Sequence, residues 1–320
     1  MIGEVDTVAT IAERVVRDYL GVRPGERFAI VVDDRTDHEI PDELSRVALA
    51  VGAEPVVVTI AHRAHSGAEP PAPAAAAMAA ADVVLCAAST SLYHTTAKAQ
   101  AQRAGARGDF NAPYRADAWR NGAMTADFSA IRIRAERLAD LWRGTDLVRV
   151  TSPAGTDLTA TVSGREPKAW LTGICRNPGE VSLPPVEGTA NGIVVWERVA
   201  TDLGALDGPL TITVRDGRAV GFDGGPAADR LRRIVEDTVD ADNIGEIGIG
   251  LNPAARIGDD ITEAKKAFGT VHLALGDSAN EYGGLVECEV HLDGLVMEPT
   301  IEFDGVPVVV AGRHVYEIEA

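Results

Sequence analysis

The sequence predicts an α/β N-terminal domain with a mostly parallel sheet, followed by a β-rich α+β C-terminal domain. The chain has 320 residues, 46% of them hydrophobic, which suffices for two domains of about 100 to 200 residues each. Its first half alternates fully apolar runs with helical patterns, which is typical of a parallel sheet covered on both faces. From Thr145 onward, short apolar runs are separated by Gly, Pro and Asp-Gly turns, which is typical of antiparallel strands. We therefore expect domains over 1–145 and 146–320.

In the first half, apolar residues recur at helical spacing from Val5 to Leu20, and Gly21 and Pro24 end that pattern. Further helices are predicted over Asp42–Val51 and Leu92–Ala104. The Ala/Pro-rich stretch 67–81 is interpreted as a loop that enters a helix. The strands predicted between these patterns are Arg27–Val32, Pro55–Ile60 and Ala81–Cys86.

In the second half, five short apolar runs predict strands. They are Leu147–Val150, Leu158–Val162, Gly192–Glu197, Leu210–Val214 and Ala219–Phe222. One amphipathic helix is predicted over Pro226–Val239, where Leu231, Ile234 and Val235 share one side. The second domain should therefore consist mainly of antiparallel strands.

Composition excludes several classes of protein. A net charge of −18 and a pI of about 4.8 make phosphate binding electrostatically unfavourable, so no nucleic-acid partner is expected. The longest apolar stretches are interrupted and fall short of the about 20 residues that cross a bilayer, so no membrane association is expected. The acidic segment Met1–Asp6 does not resemble a secretory signal. Because Cys86, Cys175 and Cys288 form no CxxC pattern, we expect reduced thiols and a cytoplasmic location.

Five ionisable side chains stand in Gly-rich, apolar segments of the second half, where burial is costly unless they are paired or coordinated. They are Glu180, Glu246, His272, His291 and Asp293. His291 and Asp293 are two positions apart, so on a strand they project from one face and can bind the same ion or adjacent ions. A hairpin turn at Asp293 and a strand-edge charge at Glu246 are the alternative interpretations. The segments therefore point to a metal site without establishing one.

Several ordered motifs resemble the metalloaminopeptidases of the aminopeptidase S/T type, also called thermophilic metalloproteases. The motifs are SPAGTDLT, NPGEVSLPPVEGTANG, GEIGIGLNP, GTVHLALGD and HLDG. The resemblance implies that Glu180, Glu246, His272, His291 and Asp293 bind two divalent ions, with zinc, cobalt and manganese as the candidates. It also implies a homodimer that hydrolyses an amide or peptide bond of a small molecule or short peptide. Two such ions would lower the pKa of a shared water and produce a metal-bridging hydroxide as nucleophile.

The segments LNPAAR and SANEYGG resemble a sister group on the same scaffold, the 2,5-dihydroxypyridine 5,6-dioxygenases. This second resemblance implies one Fe(II) ion, held by Glu246, His291 and Asp293, and cleavage of a hydroxylated N-heterocycle or catechol-like ring. Glu246 stands where that group has a His. Glu180 and His272, both needed for a second metal, are retained. On the sequence alone, the dinuclear metallohydrolase is therefore favoured and the mononuclear dioxygenase is the alternative.

Three further residues are candidates around the site. In the aminopeptidases a Tyr seven residues after the GTxH histidine assists catalysis, but that position holds Ala279 here. Tyr282, three residues later, is the candidate for this role, in which its hydroxyl would stabilise an oxyanion. Arg256 is a candidate clamp for a substrate carboxylate, and Asn280 is a second candidate for substrate binding.

Overall fold

The computed structural model describes residues 7–64, 67–93, 95–169, 179–279 and 282–316. The helices are α1 (Val8–Arg14), α2 (Glu39–Val51), α3 (Ala72–Ala80), α4 (Thr96–Arg103), α5 (Ala116–Arg120), α6 (Phe128–Trp142), α7 (Pro226–Asp237) and α8 (Ile261–Ala264). The first nine strands are β1 (Arg27–Asp33), β2 (Glu54–Ile60), β3 (Val83–Ala87), β4 (Arg107–Asp109), β5 (Leu147–Thr151), β6 (Asp157–Thr161), β7 (Lys168–Ala169), β8 (Glu180–Leu183) and β9 (Asn191–Trp196). The remaining strands are β10 (Val199–Ala200), β11 (Gly204–Ala205), β12 (Leu210–Arg215), β13 (Arg218–Asp223), β14 (Ile244–Gly250), β15 (Val271–Gly276), β16 (His291–Val296), β17 (Thr300–Phe303), β18 (Val306–Val310) and β19 (Arg313–His314).

The first compact unit, which extends to Phe128, contains a four-stranded sheet in the order β2-β1-β3-β4, with parallel pairing throughout. Alternate residues of β1 point to opposite faces. Phe28 and Ile30 join a core that includes residues of α1 and α2, whereas Ala29 and Val31 join a second core with residues of α3 and α4. Because both faces are covered by helices, β1 is apolar along most of its length. The predicted parallel α/β fold is confirmed.

The helix ends follow local capping chemistry. The Thr7 side chain accepts a hydrogen bond from the Thr10 amide and starts α1, and the helical pattern continues beyond α1 as a π-helical turn over Val15–Tyr19. The Thr95 side chain accepts from the Lys98 amide, so α4 begins at Thr96 rather than at the predicted Leu92. Gly52 ends α2 with a φ of 89°, a left-handed conformation that glycine adopts without strain.

The second compact unit, from Ser129 onward, contains two antiparallel sheets among its described residues. The eight-stranded sheet has the order β13-β12-β9-β6-β5-β17-β18-β19, and the seven-stranded sheet has the order β11-β10-β16-β15-β14-β8-β7. The two sheets approach closely where the Trp196 ring of β9 lies against Gly294 of β16. A Cβ at that glycine would be only 1.9 Å from the ring. The predicted β-rich second domain is confirmed.

Helix α6 was not predicted from the sequence, and it belongs to the second unit. The Trp142 ring at its end stacks on Phe303 of β17, with 4.9 Å between ring centroids. The compact units therefore divide between Phe128 and Ser129, earlier in the chain than the expected boundary at residue 145.

Two observations bear on the exclusions made from composition. Within the described ranges, no helix combines the length and the apolar composition that a bilayer crossing needs. Cys86 and Cys288 are free thiols, and Cys175 lies outside the described residues.

Candidate metal centre

The five predicted ligands come from four neighbouring strands of the seven-stranded sheet. Glu180 begins β8, Glu246 lies in β14, His272 lies in β15, and both His291 and Asp293 lie in β16. These strands are adjacent in the order β16-β15-β14-β8. The register pairs Glu246 and Asp293 with the same residue of β15, Ala274, and it pairs His272 with Gly248 and Glu180 with Gly250. Because side chains alternate along a strand, all five candidate ligands project from one face.

Small residues on this face make room for the ligands. Along β14 the face carries Glu246, Gly248 and Gly250, while Ile247 and Ile249 point the other way into the core. A Cβ on Gly248 would lie 2.1 Å from both Cε1 and Nε2 of His272, so no larger residue fits without displacing the imidazole. The GEIGIG motif is thus explained by packing as well as by its carboxylate.

The ligand atoms form two groups that share Glu246. In the first group, His291 Nε2 lies 3.0 Å from Glu246 Oε2 and 3.5 Å from Asp293 Oδ1. In the second group, His272 Nε2 lies 3.2 Å from Glu180 Oε2 and 3.5 Å from Glu246 Oε2. Within each group the three ligand atoms lie within 4.8 Å of one another, which is close enough for a common ion.

Unsatisfied buried atoms support the assignment of these groups as a metal centre. Among the described residues, Glu180 Oε2, Glu246 Oε1, Asp293 Oδ1 and both ring nitrogens of His272 make no hydrogen bond. Buried polar atoms are almost always hydrogen-bonded, so such a concentration of exceptions needs an explanation. Carboxylate oxygens and imidazole nitrogens are ligands of divalent transition metals, so the residues fit a divalent cation.

The orientation of His291 is fixed by its second ring nitrogen. His291 Nδ1 donates a hydrogen bond to the Asp277 carbonyl oxygen at 2.9 Å, which leaves Nε2 directed to the carboxylates. A backbone carbonyl commonly holds a metal-ligating histidine in this way. Burial opposes protonation of the ring, but Asp293 and then Glu246 outweigh it and raise the pKa of His291 to about 10. Imidazole binds metals in its neutral form, so metal binding and protonation compete for this ring.

The two groups differ in their access to solvent. Glu246 and His272 are completely buried, and Glu180 is 2% exposed. The side chain of His291 is 16% exposed. The group of Glu246, His291 and Asp293 thus reaches the surface of its unit at the histidine, whereas the group of Glu180, Glu246 and His272 is enclosed.

Two lysines that sequence reasoning missed lie against the outer oxygens of this centre. Lys265 Nζ contacts Asp293 Oδ2 at 2.9 Å, and Lys266 Nζ contacts Glu180 Oε1. Both follow α8, which packs Ala264 in a small core with Val199 and Leu295. The sequence feature that could have singled them out is the rarity of lysine, since only four of the chain's thirty basic residues are lysine.

The lysines change the electrostatics of the carboxylates. Burial opposes ionisation of Glu246 and Asp293, but the Lys265 ammonium, followed by neighbouring imidazoles, holds both pKa values well below their usual range. Burial likewise opposes the charge of Lys265, yet Asp293, Glu180 and Glu246 raise its pKa. Burial lowers the pKa of Lys266. The Glu180 carboxylate raises this pKa, and the Lys265 ammonium lowers it further.

The structure also locates two of the three further candidates. The Tyr282 ring stacks on His291, with 4.4 Å between ring centroids and 5° between planes. The Arg256 guanidinium pairs with both carboxylate oxygens of Glu263, with distances of 3.2 and 3.3 Å from Nε. A substrate-binding role for Arg256 thus remains a prediction. Asn280 lies outside the described residues.

A family model and two solved structures resemble this chain. The model described as "NicX: 2,5-dihydroxypyridine 5,6-dioxygenase" matches residues 13–316. The structure of 2,5-dihydroxypyridine dioxygenase from Pseudomonas putida KT2440 is 20% identical over 96% of each chain, with a TM-score of 0.80. Wild-type AmpT from Thermus thermophilus is 17% identical over 96% of this chain and 98% of its own, with a TM-score of 0.69. No curated protein matches the chain. At these identities the two structures show a shared fold.

Proposed function

Because the chain belongs to the NicX family, that of 2,5-dihydroxypyridine 5,6-dioxygenase, we propose that it is a ferrous dioxygenase that cleaves a hydroxylated aromatic ring. The substrate would be a dihydroxylated N-heterocycle or a catechol-like compound. This proposal replaces the dinuclear hydrolase that the sequence alone favoured. The family match over most of the chain outweighs the retention of Glu180 and His272.

The observation that carries the proposal is the access of the group of Glu246, His291 and Asp293. Ring cleavage requires that an organic substrate and dioxygen reach the ion, so a group that opens to the surface is needed. This group does so at His291, whose side chain is 16% exposed, whereas the other group is enclosed. Three protein donors also leave positions open, as in other non-haem iron oxygenases.

The chain's own residues would bind and orient the ion. Glu246 and Asp293 offer buried oxygens without hydrogen-bond donors among the described residues, and His291 offers Nε2. Lys265 holds the outer oxygen of Asp293, which directs the other oxygen to the centre of the group. A ferrous ion held there would supply the one-electron chemistry that dioxygen requires. Glu246 in place of a second histidine adds a negative charge, which the nearby Lys265 partly balances.

A second candidate function rests on the other group. Glu180, Glu246 and His272 also place three ligand atoms within 4.8 Å, and AmpT shares the fold. Glu246, which belongs to both groups, would then help to hold two ions of zinc, cobalt or manganese, the number that an aminopeptidase-like hydrolase needs. This alternative uses ligands from the same strands, but it needs two metal ions rather than one, and water rather than dioxygen as the co-substrate.

The first experiment combines metal analysis with two activity assays on anaerobically purified protein. We expect one iron per chain and oxygen consumption with 2,5-dihydroxypyridine or a catechol. Two zinc, cobalt or manganese ions per chain, with release of amine from aminoacyl amides and no oxygen consumption, would instead establish the hydrolase. A chain that takes up no metal would refute both functions.

Two histidine variants then test which group holds the ion. We expect His291→Ala to lose the iron and at least about a hundredfold of the oxygen consumption, because it removes one of three donors. His272→Ala should retain one iron per chain, since His272 belongs to the enclosed group. The matched control is His62→Ala, a substitution in the first unit that should leave both readouts unchanged. Loss of iron from His272→Ala alone would contradict the assignment.

A further inference from the structure

Lys266 is the most deeply buried of the four lysines of this chain. Its side chain is 2% exposed, and its ammonium contacts Glu180, whose side chain is 3% exposed. Lys265, beside it, is 10% exposed and contacts Asp293. Thus two of the four lysines in a chain that otherwise relies on arginine lie next to each other at one centre. A buried ammonium has to be compensated by a nearby charge, so these lysines and carboxylates form one electrostatic unit.

Lys266 places a positive charge beside the enclosed group. Glu180 Oε1 contacts the Lys266 ammonium, and the other oxygen of the same carboxylate faces His272 Nε2 at 3.2 Å. Lysine carries a compact point charge on a flexible stem, whereas arginine spreads its charge over a planar fork. A lysine is therefore the basic side chain that most closely replaces the charge of a small ion.

The charge of the centre favours one divalent ion. Glu180, Glu246 and Asp293 contribute three negative charges, and the two ammonium groups compensate two of them. With neutral imidazoles, one divalent cation leaves a single positive charge on the centre. A second cation would leave three before any hydroxide binds, and such an excess is costly in a buried site.

We propose that the Lys266 ammonium takes the place of a second metal ion by neutralising Glu180, and that it thereby restricts the centre to one divalent cation. The single ion is then held by Glu246, His291 and Asp293. The inference rests on the proposed function for the choice of that group, and it adds the reason why the enclosed group stays free of metal. Lys266 thus determines how many metal ions each chain binds.

The test counts manganese ions in the wild type and in Lys266→Met, which keeps the length of the side chain and removes its charge. Each protein is stripped, loaded with excess Mn²⁺ and desalted, and manganese per chain is measured by elemental analysis. Electron paramagnetic resonance then distinguishes an isolated Mn²⁺ from a coupled pair. We expect one isolated ion in the wild type and two coupled ions in Lys266→Met. Lys168→Met, which removes a partly exposed lysine on β7, is the matched control and should retain one ion.

Two results would overturn the inference: two ions per chain in the wild type, or one ion in a folded Lys266→Met protein. Circular dichroism checks the folding of the variant, and Lys266→Gln is used in its place if the Met variant does not fold. The wild-type count is decisive in itself, because it needs no variant. A wild type with one manganese but no oxygen consumption on any dihydroxylated ring, when loaded with iron, would refute the proposed function and leave the stoichiometry inference standing.

Discussion

Among the individual residues of the centre, Tyr282 has the clearest structural role. Its ring lies almost parallel to His291, 4.4 Å away, so it covers one face of a ligand that is itself partly exposed. His291 is also held by the hydrogen bond that its Nδ1 donates to the Asp277 carbonyl oxygen. Stacking and hydrogen bonding together fix the plane of the imidazole, and we infer that Tyr282 acts by positioning His291 rather than through its hydroxyl.

Two substitutions separate these roles of Tyr282. We expect Tyr282→Phe to keep metal affinity and activity within about twofold, because the aromatic face remains. Tyr282→Leu should weaken metal binding by about two- to tenfold, since an aromatic pair contributes about 0.5 to 1.5 kcal/mol beyond its buried area. Metal affinity is measured by competition with a chromophoric chelator. A large loss of turnover in Tyr282→Phe at unchanged metal content would instead support the catalytic hydroxyl that the aminopeptidase resemblance predicted.

At the level of single elements, β14 has the strictest requirements. One face of this strand carries Glu246 and two glycines, of which Gly248 makes space for His272 and Gly250 for the backbone at Ala267. The other face carries buried isoleucines. Gly250 is as restricted as Gly248, because a Cβ there would lie 2.2 Å from the Ala267 carbonyl oxygen. The strand therefore accepts neither a larger residue on the ligand face nor a polar residue on the core face.

A single methyl group on β14 should disturb both stability and the enclosed group. We expect Gly248→Ala to lower the free energy of unfolding by about 1 to 3 kcal/mol, the usual cost of overpacking. Gly258→Ala is the control, because the Cβ added there meets open space and the residue lacks a left-handed φ. Urea denaturation followed by tryptophan fluorescence compares the two. Equal stabilities would show that the sheet opens at little cost and that the close approach does not constrain the strand.

Much of the element pattern follows from the sequence, and the exceptions have physical reasons. Strands β1 and β2 were predicted within a residue at each end, because fully apolar runs between polar residues leave little choice. The buried residues of α6 recur at helical spacing, but the helix was missed because two of them are alanines and because the exposed Ile133 and Leu141 blur the apolar stripe.

The residues of the candidate metal centre likewise divide into those that the sequence predicts and those that it does not. The five candidate ligands were selected from the sequence, and the structure brings them together as two groups. Each is an ionisable residue that interrupts an apolar segment. Lys265 and Lys266 were missed because a lysine pair after a short helix is typical of a solvated surface. Their burial depends on Glu180 and Asp293, which are remote in sequence and become neighbours only when the strands pair.

For the whole molecule, the sequence supports two compact units with different architectures, one parallel α/β and one antiparallel β-rich. Both solved structures cover 96% of this chain at 20% identity or less, so the fold tolerates replacement of most side chains. A homodimer remains a prediction from the aminopeptidase resemblance, and sedimentation velocity would test it.

The pH dependence of stability is a property of the folded molecule, and His314 contributes a definable part. His314 is buried on β19 and stacks on Phe268, with 4.1 Å between ring centroids. Burial, assisted by the Arg134 charge, lowers its pKa to about 4 from the ordinary value of 6.5. At neutral pH the ring is uncharged in both states. As the pH falls below about 6.5 the unfolded chain binds a proton that the folded chain does not bind until about pH 4, so stability is lost across that window.

We expect this histidine to contribute up to about 2 kcal/mol to the loss of stability between pH 7 and pH 5. His314→Phe keeps an aromatic ring on Phe268 and should flatten the dependence of the urea midpoint on pH. His38→Phe, at an exposed position, should leave that dependence as in the wild type. If the wild type and His314→Phe lose stability in parallel, the folded and unfolded chains protonate His314 at the same pH and the assignment is wrong.

The register of β8, β14, β15 and β16 also has a kinetic consequence. The candidate ligands come from four strands, and Glu180 meets Gly250 only after a long loop has closed. Long-range pairings of this kind form slowly because loop closure precedes the contacts that stabilise it. An unfolded chain therefore lacks an assembled ion site, and metal can bind tightly only once these strands are in register. A bound ion should thus leave the rate of refolding nearly unchanged and lower the rate of unfolding. The metal-loaded protein would then be more stable than the apo form because it unfolds more slowly, and not because it folds faster.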